Sequence, residues 1–166
     1  MTDRYDSLAP KDLIITLRSL DRRFSDVAGT ISSDPDLLER VDEPGPDGQG
    51  FGHIVDAAAS RLEQLSGAIA TVAQSEHPVM SADSIATATP SSQPRLPIEQ
   101  AVRSIARSAD VTADVLDTVE VDGWTRSGVL DTGGSVDLIT LVRRAVRDSV
   151  EGLRSAERTR DWLRGT

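Results

Sequence analysis

The most constraining feature of this chain is an apolar stripe that recurs, at helical spacing, in four long segments. In the last of them Leu138, Ile139, Val142, Ala145, Val146, Val150 and Leu153 follow one another at three- and four-residue steps, which places them on one face of an α-helix. Leu13, Leu17, Leu20, Phe24 and Val27 repeat the pattern near the start. Phe51, Ile54, Val55, Ala58, Leu62, Leu65, Ile69 and Val72 repeat it again, and so do Ile98, Ala101, Val102, Ile105, Ala109, Thr112, Leu116 and Val119. Four one-sided helices can each bury a stripe only against one another. The expected fold is therefore all-α, an up-down four-helix bundle, with 1–166 as a single domain. Leu17, Phe24, Leu62, Ile105, Val146 and Leu153 are expected to meet in its core.

The punctuation fits that layout. Pro10 opens the first helix and Gly29 is expected to end it. Ser33-Asp34-Pro35 starts a short helical turn through Arg40. The Pro- and Gly-dense 42–50 cannot hold a helix, and the second long helix starts near Gln49 to Phe51. Residues 76–97, rich in Ser, Thr, Ala and Pro, form a long internal linker expected to run along the bundle. Ser135 and Asp137 are both capping candidates for the last helix, and the Asp131 to Ser135 loop ahead of it could equally serve as an anion-binding N-terminus. Val119 to Val121 and Gly128 to Leu130 are too short to be expected as strands.

Charge and composition remove several functions. The net charge of −9 argues against nucleic acid or an anionic membrane surface as partner. The chain has no Cys, which excludes a thiol nucleophile, a disulfide or a Cys-bound metal. The start, MTDRYDSLAPKDL, lacks the apolar stretch of a signal peptide, and no run is long enough for a membrane span, so a cytoplasmic location is expected. Phosphate-loop, H-E-x-x-H and G-x-S-x-G patterns are missing.

Trp124 and Arg126, a Gly-rich loop, and a last helix of the form V-x-x-x-V-x-x-L resemble the C-terminal half of the DinB/YfiT-like superfamily. The resemblance implies a four-helix bundle, often homodimeric, with a divalent metal held by one His on the second helix and two on the last. Related proteins include mycothiol- and bacillithiol-dependent transferases and isomerases. His53-Ile54-Val55-Asp56 is similar to the family's H-[LI]-x-D, so His53 stands for the first ligand. In the last-helix frame, 146–153, the two His positions hold Arg147 and Glu151, and a further His position holds Gly152. A guanidinium cannot ligate a cation. The resemblance therefore implies a degenerate site, with no metal and no other cofactor expected, around a candidate pocket of His53, Asp56, Trp124, Arg126, Arg147 and Glu151. Catalytic residues remain unassigned. Two functions stay open: small-molecule binding or protein interaction after loss of the metal, and a thiol-dependent transferase or isomerase with an altered site. If the frame holds, His at 147 and 151 would join His53 in a rebuilt three-His site.

Overall fold

The computed structural model describes residues 4–87 and 94–166. Four long helices carry it: α1 (Pro10–Ser32), α3 (Phe51–Gln74), α4 (Ile98–Asp117) and α5 (Leu138–Gly165), with a short α2 (Pro35–Glu39) after the first. Their stripes converge as the spacing predicts. Leu17, Val146 and Leu153 are fully enclosed, and Phe24, Leu62 and Ile105 nearly so. Helix α1 continues through Gly29 to Ser32, because Gly29 is helical and its carbonyl accepts both the Ser33 N–H and the Ser33 hydroxyl. Asp137 caps α5 by accepting from Thr140 N at 2.9 Å, whereas Ser135 lies in a strand.

Neighbouring helices are α1 with α4, α4 with α3, α3 with α5 and α5 with α1. Contacts give their directions. Ala58 meets Gly152 and Arg61 meets Asp148, so α3 and α5 are antiparallel. Arg18 reaches Asp114 and Asp117, near the end of α4, from the first half of α1. Asp56 meets Leu96 just before α4 and Ser66 meets Thr112, so α3 and α4 run the same way. In chain order the helices go up, down, down, up. Two parallel successive helices need a connection that returns along the whole bundle, and α3 is about 36 Å long. That is why the linker is long. Residues 88–93 of it lie outside the described residues.

The linker does not only cross. Its first part forms β1 (Val79–Met80), parallel to β2 (Ser127–Leu130), which pairs antiparallel with β3 (Ser135–Asp137). The expectation of no strand at Gly128 to Leu130 is thus corrected. A four-residue strand is too short to read as alternation, but it is stabilised once partners on both sides complete its ladder. The Asp131 to Ser135 loop is the turn of this hairpin, with Gly133 and Gly134 at φ 93° and 86°, a conformation that favours Gly twice in succession.

Candidate functional site

Small residues let α3 and α5 approach closely: a Cβ on Gly152 would stand 3.1 Å from that of Ala58. Beside this contact the helices part to leave an open groove of about 600 Å³. Ile54, Ala57 and Ala58 line it from α3, and Glu151, Gly152 and Ser155 from α5.

Arg61 lies in this groove with its side chain only 13% exposed. Its Nε donates to Asp148 Oδ2 at 2.8 Å, and Nη1 donates to Gln64 Oε1 at 3.0 Å and to the Ala86 carbonyl at 2.6 Å. Nη2 reaches the Ile85 carbonyl at 3.3 Å. Gln64 Nε2 donates to the Asp83 and Ala86 carbonyls, and Arg144 donates to Ile85 O. One guanidinium therefore joins α3, α5 and the linker. The far end of the groove is closed by the loop before α3. Asp47 accepts from Ser155 Oγ at 2.6 Å and from Arg158 Nη2 at 2.5 Å. These bonds, that of Ser155 first, hold the Asp47 carboxyl below its usual range.

The six residues expected to share a pocket stand in five places. His53 is exposed, outside the groove lining, with Nδ1 3.4 Å from Asp42. Asp42 is itself gripped by both sides of the Arg95 guanidinium, at 2.6 and 2.9 Å, and that hydrogen bonding lowers its pKa. Gly52 makes room there, since any Cβ would collide with the Arg95 guanidinium. Asp56 accepts from Leu96 N nearby. Glu151 does line the groove. Arg147 faces a different cavity, with Thr140, Arg143 and Arg144, and its Nε is 3.9 Å from Asp148. Trp124 is buried over the start of α1 and the end of α4, beside Ile14 and Leu116. Arg126 caps the last turn of α3 by donating to Ala73 O at 2.5 Å.

Helix geometry separates these places. His53 precedes the Ala58–Gly152 contact by five residues, and Arg147 precedes it by five on an antiparallel helix. The two are therefore about 15 Å apart along the bundle axis, and His53 is roughly 30 Å from Ala73, where Arg126 sits. The frame that paired His53 with positions 147 and 151 is thereby corrected, and with it the expected three-His rebuild. Spacing within one helix fixed the i, i+4 pair. It held no information on which turn of α3 stands opposite.

The residues of the groove do not fit a divalent metal. Its potential ligands are two carboxylates, one already taken by a guanidinium, and two arginines face them. Among the described residues no group of three His, Cys, Asp or Glu could hold a metal ion. Sequence reading missed Arg61, Gln64, Arg144 and Asp148. The four-residue spacing of Arg144 and Asp148 places both on one face of α5, but the partners they take, Ile85 O and Arg61, come from distant parts of the chain.

No protein-family model matches the chain, and no curated protein matches it. Solved structures do. YfiT from Bacillus subtilis, described as a probable metal-dependent hydrolase with an unusual four-helix bundle topology, has a TM-score of 0.68 at 13% identity, over 98% of this chain and 94% of that one. The mycothiol-dependent maleylpyruvate isomerase has a TM-score of 0.55 at 13% identity, over 92% of this chain and 62% of that one. A single-substitution mutant of the same enzyme gives 0.56 at 12%. At such identities the likeness shows the fold: this chain has the DinB/YfiT-like bundle, and it spans under two thirds of the isomerase. Among the described residues no helix is long and apolar enough to cross a membrane.

Proposed function

We propose that this chain is a metal-independent ligand-binding bundle of the DinB/YfiT-like fold, with the groove between α3 and α5 as its binding site. One observation carries the reading: Arg61 holds a fixed positive charge against Asp148, in the groove between the two helices from which the family draws its metal ligands. A divalent ion there would meet a cation and a carboxylate already engaged. The apolar floor of Ile54, Ala57 and Ala58, rimmed by Glu151 and Ser155, suits a small molecule with one apolar side and a few hydrogen-bonding groups.

The test has two arms. Tag-free protein should contain no stoichiometric metal and should not gain thermal stability when zinc or nickel is added. A fragment mixture followed by ligand-observed NMR should yield binders that the groove-filling variant Ala57→Trp no longer takes. About one metal ion per chain, or fragments that bind Ala57→Trp as well as the parent, would overturn the reading. The fold likeness to a mycothiol-dependent isomerase supports a second reading, a thiol-dependent transferase or isomerase with an altered site. Saturable binding of mycothiol that Ala57→Trp abolishes would favour it.

A further inference from the structure

The charged groups that line the α3–α5 groove are not equally engaged. Arg61 donates to Asp148, and Arg158 donates to Asp47 at the far end, so each cation of the lining meets a carboxylate within the fold. Glu151 lines the groove as well and is exposed to solvent. Among the described residues its carboxylate has neither an ion pair nor a hydrogen bond. It is the one charge of the lining left for a ligand to meet.

The other cations near Glu151 lie to one side of it. Arg147, four residues back, lines the cavity of Thr140, Arg143 and Arg144, and its Nε is 3.9 Å from Asp148. Arg154, three residues on, is outside the groove lining. At about 100° per residue, Glu151 stands about 40° around α5 from Ser155, whereas Arg147 and Arg154 stand about 80° and 100° in the same direction. Glu151 is therefore placed between the groove and these two arginines. Arg158, seven residues on, is about 10 Å away along the helix. On the groove side, Glu151 borders the apolar floor of Ile54, Ala57 and Ala58.

We propose that the groove takes an organic ammonium ion with an apolar body. Its N–H donors meet the Glu151 carboxylate, and its carbon skeleton lies on Ile54, Ala57 and Ala58. The inference rests on the reading of the groove as a binding site and adds the charge class of the ligand. A chain with a net charge of −9 also draws cations towards it at low salt.

The test titrates the intact protein, followed by NMR at low salt and neutral pH, with 2-phenylethylamine, 2-phenylethanol and phenylacetate. The three share a body and differ in charge. The amine, protonated under these conditions, should bind about two- to fivefold more tightly than the alcohol, the scale of one partly exposed ion pair. Phenylacetate should bind most weakly. Glu151→Gln should bring amine and alcohol to equal affinity while alcohol binding remains. Glu63→Gln, the same charge change at an exposed position of α3 outside the lining, should keep the preference. Equal binding of amine and alcohol by the parent, tightest binding of phenylacetate, or a preference that survives Glu151→Gln would overturn the proposal and leave the groove reading standing. So would failure of all three probes to bind while other fragments are taken by the parent and lost in Ala57→Trp. Amine binding that Ala57→Trp leaves unchanged would overturn both readings.

Discussion

Replacing Arg61 with Met keeps the length and apolar stem of the side chain and removes its charge and donors. Four hydrogen bonds go with the guanidinium, but their sum overstates the cost. Ile85 O keeps its bond from Arg144, and Ala86 O keeps one from Gln64. The principal loss is at Asp148, 26% exposed, whose other cation, Arg147, is 3.9 Å away. One hydrogen bond between charged groups contributes about 1.5–3 kcal/mol. Water and Arg147 can partly compensate Asp148, so the variant should lose about 2–3 kcal/mol rather than the 3–5 of a fully buried orphan charge. At this chain length that is a fall of about 5–10 °C in Tm. Urea unfolding of Arg61→Met, Asp148→Asn and the double variant should give a coupling of about 1–2 kcal/mol. The Ile85 and Ala86 amides, both bonded to Ala82 O, should exchange faster in Arg61→Met. A cost under about 0.5 kcal/mol, typical of a featureless surface site, or unchanged exchange at 85 and 86, would refute the idea that Arg61 ties the linker to the bundle.

Other outcomes follow from single observations. Leu153 is fully buried, so Leu153→Ala should cost about 2–5 kcal/mol in urea unfolding. Thr159 Oγ1 is buried without a hydrogen-bond partner among the described residues; Thr159→Val, nearly the same shape, should be neutral or raise stability by up to about 1 kcal/mol. Asp42 and Asp47 have folded pKa values lowered from 3.8 by their hydrogen-bonded partners. The stability they contribute is therefore fully present above that value and is lost as pH falls below it through the folded values. Urea midpoints measured across that acid range should drop less steeply in the Asp42→Asn, Asp47→Asn double variant.

The sequence by itself determined the helices and which face of each is buried. Leu13 to Val27, Phe51 to Val72 and Leu138 to Leu153 repeat at the period of the α-helix, and a one-sided helix has few ways to hide its stripe. Pro35 and Asp137 fixed local boundaries for the same reason, that caps and first turns are read from neighbouring residues. Gly29 did not, since one helical Gly costs only about 1 kcal/mol, too little to stop a helix whose Ile31 is still packed. Relations between elements were decided by tertiary structure alone. The stripe of α3 is apolar along its whole length and admits many registers against α5; close packing of Ala58 on Gly152 selects one, and that choice carries His53 far from Arg147 along the bundle axis. The strand at Ser127 to Leu130 exists because a linker from elsewhere in the chain pairs with it. Arg61 is a polar residue on the flank of a helix until the fold brings Asp148 and the carbonyls of 85 and 86 to within hydrogen-bonding distance of its guanidinium. Periodicity is a property of consecutive residues, whereas a site is made by residues whose proximity depends on how whole helices slide and pack.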